Sequence, residues 1–114
     1  MNSLKTKVAV KRVEQIFMEY LKAKKNVELI SSGYKFLLED NQKINEQTYI
    51  TQQQAIINNI EKIFEILSLN AKKIIEFDFA RKTNDYWWTQ YYSRSTYYRH
   101  RAHAINEFLY FYEV

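Results

Sequence analysis

The chain has 114 residues, no Cys, no Pro and a single Gly, enough for one domain with a modest core. This composition excludes disulfides and the usual zinc sites, and it holds so few turn formers and helix breakers that an all-α fold is expected. The formal net charge of +4 fits an acidic partner without requiring one. No apolar run reaches the ~18 residues of a membrane span. Lys5, Lys7 and Lys11 alternate with single apolar residues, and no apolar block follows them as it would in a signal peptide. A cytoplasmic protein with no membrane association is the plain expectation.

The first helix is predicted from Ser3, a candidate N-cap, to Ser31. Val10, Val13, Phe17, Tyr20, Leu21 and Val27 share one broad apolar face. Lys7, Lys11, Glu14, Lys22 and Lys25 fall elsewhere. They read first as a solvated face and, for the basic residues of 1–25, more sharply as auxiliary phosphate contacts. They are spread around the helix, unlike the one-sided charge of a membrane-surface helix. Gly33 supplies the left-handed residue that ends the helix. Residues 34–49 are polar and aperiodic and read as a connection, with a short helical turn over residues 35–39.

The second helix is predicted from Thr48 or Thr51 to Leu67, with Ile56, Ile60, Ile63, Phe64 and Leu67 as its stripe. Asn70 then caps a third helix over residues 71–81, whose apolar positions are Ile74, Ile75, Phe77 and Phe79. Asn84 or Asp85 caps a short fourth helix over residues 86–92. The links at residues 68–70 and 82–85 are short enough to force sharp changes of direction.

The last helix carries the functional signal. Ser93 is a good N-cap, because its hydroxyl can accept an orphan backbone N–H of the first turn. Tyr97, Ala104, Phe108 and Phe111 recur along one face. The opposite face carries Arg94, Ser95, Tyr98, Arg99 and Ala102: hydrogen-bond donors, two guanidinium groups and no carboxylate. That is the pattern of the second half of a helix-turn-helix, the half that enters the major groove of DNA. Arg81 and Lys82, at the end of the third helix, complete the candidate DNA-binding set with Arg94, Ser95, Tyr98 and Arg99. Residues 1–49 then form an N-terminal helix and connecting loop, and residues 50–114 a DNA-binding region, within one compact domain.

No P-loop, G-x-G-x-x-G, H-E-x-x-H or nucleophile elbow occurs, and the adjacent Glu39 and Asp40 would diverge on a helix. No enzyme and no cofactor are expected. His100 and His103 are three apart on one helix, but Glu107 is the sole local carboxylate, so structural or DNA-facing histidines are expected and no metal site. Most of the Tyr, Phe and Trp residues lie between Phe77 and Tyr112. Their helical spacing reads as core; Tyr98, off the apolar face, is the exception. The run Phe108–Tyr112 covers more than one side of a helix, so a homodimer is expected.

The segment S-R-S-T-Y-Y-R-H-R-A-H-A-I, residues 93–105, resembles the recognition helix of the sigma-70 region 4 type. A Ser opens it, Arg94 follows, Tyr97 sits four beyond the Ser, and Ala104–Ile105 close it. A closer likeness is to the ArpU-type and RinA-type late transcriptional regulators of phages in Gram-positive bacteria. Their C-terminal half resembles residues 55–108: a helix ending near a Leu, a short helix with two Ile, an acidic-aromatic turn, then S-x-x-x-Y-Y-R with Ala and Phe downstream. E-Y-L-K at residues 19–22 is similar to the start of that family. The chain departs from the pattern at F-D-F, residues 77–79, where these regulators often have an Arg-Tyr pair, at His100, and at Trp87 and Trp88.

The resemblance implies a DNA-binding transcriptional regulator of phage or prophage late genes, an accessory activator with RNA polymerase as a further candidate partner. Its DNA contacts transfer to Arg94, Ser95, Tyr98 and Arg99, the four that helical spacing selects independently. Three alternatives stay open: a helical protein-interaction module binding RNA polymerase or another protein, an RNA binder, and an assembly protein that oligomerises through its aromatic C-terminus.

Overall fold

A computed structural model describes residues 3–33, 46–81 and 83–113. All regular structure among these residues is helical. Helix α1 spans Ser3–Ser31, α2 Glu46–Ile66, α3 Leu69–Ile75 and α4 Arg94–Glu113. A π-helical turn, Glu76–Ala80, continues α3, and a single 3-10 turn, Trp87–Gln90, precedes α4. No helix of the described residues is long and apolar enough to cross a membrane.

α1 pairs mainly with α2, and α3 mainly with α4, and α1 touches α4 as well. One continuous core results. It holds Val13, Ile16, Phe17, Tyr20 and Ala23 from α1, Ile57, Ile60 and Ile63 from α2, Ile74, Ile75 and Phe79 from α3 and its π turn, and Ala104, Ile105 and Phe108 from α4. Phe108 is fully buried and its ring lies 5.2 Å from that of Phe17, so the middle of α1 is fixed to the C-terminal half of α4. Each aromatic side chain buried in this way removes a large apolar area from water, which lets a small domain with few leucines close its core. No buried side-chain polar atom among the described residues lacks a partner.

α1 begins and ends where its sequence signals lie. Gly33 has φ of 94°, and its N–H donates to the carbonyl of Ile30 at 3.0 Å, so the terminal turn is closed by the left-handed residue. The buried face is narrower than the expected one. Val13, Ile16, Phe17, Tyr20, Ala23 and Ile30 occupy it, whereas Leu21 is 43% exposed. Leu21 follows Tyr20 by one residue and therefore points about 100° away from it.

α2 starts earlier than expected. Glu46–Tyr49, read as part of the connection, is helical, and Tyr49 is buried. The turn expected at residues 35–39 lies outside the described residues. The third helix is capped by Ser68 and not by Asn70: the Ser68 hydroxyl accepts the N–H of Ala71 at 3.3 Å. The choice is made by Glu107 of α4. Its carboxylate accepts the Ser68 N–H at 2.6 Å and the Ser68 hydroxyl at 3.0 Å, which holds the cap in place.

The expected fourth helix is shortened to the Trp87–Gln90 turn. Neither Asn84 nor Asp85 caps it: Tyr86 stands at the cap position without a side-chain bond, and Asn84 Oδ1 accepts the N–H of Tyr86 at 2.8 Å just ahead of the turn. The side chains then compete with helix propagation. Thr89 Oγ1 donates to the carbonyl of Tyr86 at 2.8 Å and Trp88 Nε1 to that of Asp85 at 3.0 Å. Carbonyls occupied by side chains favour a tight, short turn over a continued α-helix.

Candidate nucleic-acid interface

The start of α4 is set by Ser93. Its hydroxyl accepts the N–H of Thr96 at 3.3 Å, and its carbonyl accepts the N–H of Tyr97 at 2.9 Å. From this cap the helix turns Tyr97, Ala104, Ile105 and Phe108 inward. Arg94, Ser95, Tyr98 and Arg99 are all exposed, Tyr98 to 46%. Neither Arg94 nor Arg99 has a carboxylate partner among the described residues. The Arg94 guanidinium sits 6.0 Å from the centre of the Tyr98 ring, the outer limit of a cation–π contact. Two unpaired cations and two hydroxyls thus share the first two turns of one helix.

The remaining members of the expected set lie elsewhere. Ala102 is half-buried, because α1 crosses beside it: Thr6, Lys7 and Val10 line the same groove. Arg81 is exposed and pairs with Glu76 at 3.8 Å. It lines a hollow with Lys24, Glu61 and Glu65, to which α4 contributes no side chain, so Arg81 is not brought to the face of Arg94 and Arg99. The cause is the π turn, in which the N–H of Arg81 bonds the carbonyl of Glu76 at 2.8 Å and sets the two side chains together. Lys82 lies outside the described residues.

The residue that organises this end of the molecule is Asp78, which the sequence-based reading did not select. Its carboxylate accepts Trp87 Nε1 at 2.7 Å, Arg101 Nε at 3.2 Å and the Tyr97 hydroxyl. One carboxylate therefore ties the π turn, the 3-10 turn and α4 into a fixed arrangement. Trp88 stacks on Tyr97 with ring centres 4.5 Å apart, and Trp87 meets the same ring edge-on at 6.0 Å. Burial, and then the bond to Asp78, pushes the Tyr97 phenol well above its usual pKa, so it remains a neutral donor. Arg101, three residues beyond Tyr98, is spent on Asp78 and lies over the Phe79 ring, 5.5 Å from its centre. A signal was present in the sequence. Asp78 stands between two Phe residues in a stretch rich in Trp and Tyr, and a half-buried indole N–H needs an acceptor.

Asn70, freed from capping, forms a second tie. Its Oδ1 accepts the Tyr92 hydroxyl, and its Nδ2 lies 2.8 Å from His100 Nδ1, an arrangement in which that ring nitrogen accepts. His100 thus serves α3–α4 packing, and His103 is exposed. No group of three metal-ligating side chains occurs among the described residues. On the α3 side, the Lys73 ammonium sits 3.4 Å from the centre of the Tyr91 ring. Both ties converge on the segment that delivers the chain into Ser93.

The run Phe108–Tyr112 is largely covered by the chain itself. Tyr112 stacks on Phe108 at 6.0 Å, the Arg12 guanidinium lies over the Tyr112 ring, 5.5 Å from its centre, and Tyr110 is the one member of the run left exposed. Comparison of the chain with protein-family models, with curated proteins and with solved structures finds no match.

Proposed function

We propose that the chain is a duplex-DNA-binding domain whose α4, over residues 93–108, enters the major groove in the manner of a helix-turn-helix of the sigma-70 region 4 type. More particularly, it is a sequence-specific transcriptional regulator of the ArpU/RinA kind, acting in the cytoplasm on phage or prophage late genes. The observation that carries this reading is the exposed start of α4: Arg94, Ser95, Tyr98 and Arg99 on one face, with neither guanidinium paired to a carboxylate among the described residues. A guanidinium left without a carboxylate next to a helix N-terminus is suited to phosphate, and one a turn deeper to the N7 and O6 acceptors of guanine. The resemblance of residues 93–105 to region 4 recognition helices supports the same assignment. RNA polymerase as a second partner rests on that resemblance alone.

A homodimer belongs to this proposal, because two copies would present two half-sites. Its surface is Ile66, Leu69 and Tyr110, all exposed. They flank the Ser68–Glu107 contact, Tyr110 lying one turn beyond Glu107. A monomeric mass by sedimentation at tens of micromolar would remove this part and leave the reading face untouched.

The direct test is selection of bound duplexes from a random pool. Recovery of a defined site, and loss of that preference in Arg99→Ala with most non-specific affinity retained, is the expected result. A pool that stays random after repeated rounds would sink the assignment.

A further inference from the structure

α1 and α4 enclose a groove of about 510 Å³ lined by Lys7, Val10, Lys11 and Glu14 on one wall and Tyr98 and Ala102 on the other. This brings together two features that lie some ninety residues apart in the chain. Tyr98 belongs to the face proposed to read DNA. Lys7 and Lys11 are exposed, one helical turn apart on the same side of α1, and neither pairs with a carboxylate among the described residues. Resting on the DNA-binding reading above, we propose that Lys7 and Lys11 are phosphate contacts, which hold the DNA strand flanking the groove that α4 enters.

Base edges are reached by the first turns of a recognition helix, and the element packed across its flank meets the sugar-phosphate backbone. α1 abuts α4 at Ala102, one turn past Tyr98 and Arg99. It therefore limits how far α4 can enter, and it stands where the edge of the groove, ~12 Å wide, must pass. Lysine suits this position, since it offers a point charge on a flexible stem and needs no fixed hydrogen-bond geometry. The remaining cation of the groove, Arg101, is already committed to Asp78 at 3.2 Å. Glu14, on the same wall, opposes phosphate and makes a signed control available.

The experiment is a salt titration of duplex binding for the parent, Lys7→Gln/Lys11→Gln, Glu14→Gln and Lys22→Gln/Lys25→Gln, on the selected and a scrambled duplex. All changed residues are exposed helix positions, and unchanged circular dichroism melts would show that folding is intact. Loss of two phosphate contacts should lower the slope of log Kobs against log salt by roughly two. It should weaken both duplexes by roughly ten- to a hundred-fold near 0.1 M salt, leaving their ratio as in the parent. Glu14→Gln should tighten both duplexes, and the Lys22/Lys25 pair should leave the slope unchanged. An unaltered slope for the Lys7/Lys11 variant overturns the proposal while leaving the reading helix standing, and the apolar floor of Val10 and Ala102 is then better taken as a seat for a protein helix. Equal loss from the Lys22/Lys25 pair also overturns it, since the effect would be one of net charge. A parent that binds neither duplex overturns the DNA reading itself.

Discussion

The two ends of this molecule are held together by different physics. Where α1 meets α2 the core is built from Val13, Ile16, Ile57, Ile60 and Ile63. There Tyr20 donates to Glu61 at 3.1 Å and Asn26 to Gln53 at 3.3 Å. Where α3 meets α4 the contacts are directional: Asp78 with three donors, Asn70 with Tyr92 and His100, Glu107 on the Ser68 cap. Aliphatic packing specifies volume and tolerates small shifts, whereas a shared carboxylate specifies angles. The angular half is the half that carries Arg94 and Arg99, which fits the proposed reading face, since a binding element works best when held at a fixed attitude.

Four changes separate the two kinds of packing. Phe108 is common to both halves, so Phe108→Ala should cost most, about 3–5 kcal/mol in urea unfolding, and should destabilise the whole chain at once. Asp78→Ala comes next, at about 3 kcal/mol, because it strands Arg101, Trp87 and Tyr97 without their acceptor. It should also blur the tryptophan fluorescence and near-UV circular dichroism, since Trp87 and Trp88 lose their fixed seats. Ile57→Val in the aliphatic half should cost only about 1 kcal/mol and leave those spectra alone. Ser93→Ala should cost about 1 kcal/mol, with the loss confined to fraying of the first turn of α4 and visible as faster amide exchange at Thr96.

Alkali should strain both halves through their tyrosines. Burial, and then the bond to Glu61, pushes the Tyr20 phenol up to about 12, and Tyr97 is raised as well. The folded state thus retains protons that the unfolded chain releases near pH 10, so this contribution is complete below pH 10 and is lost as pH climbs through the folded values. Stability should fall with pH above about 10, and Tyr20→Phe should make that fall shallower by one proton. A tyrosinate absorbance titration with no late-ionising groups would contradict it.

What could be read from the sequence follows the range of the interactions. The limits of α1, the left-handed Gly33, the Ser93 cap and the inward positions Tyr97, Ala104 and Phe108 all depend on neighbours within a turn or two, and local rules reach them. Ser68 outcompetes Asn70 as a cap because Glu107, far along the chain, holds it. The stretch from Glu46 reads as polar, yet it joins α2 and buries Tyr49. The role of Asp78 was likewise out of reach, since its partners come from two other elements and a π turn must first aim it. For the candidate site the exposed face of α4 was legible from spacing. The displacement of Arg81 and the approach of Lys7 and Lys11 to Tyr98 were not, because both are set by how separate elements pack.

The most direct measurement of the central claim is fluorescence anisotropy of a labelled duplex over a range of salt, for the parent and for Arg94→Ala/Arg99→Ala. The parent should bind with a slope that steepens with each phosphate it neutralises, and the double variant should lose both site preference and roughly one phosphate from that slope. Indistinguishable curves for the two proteins would contradict the account and make α4 a surface for something other than DNA.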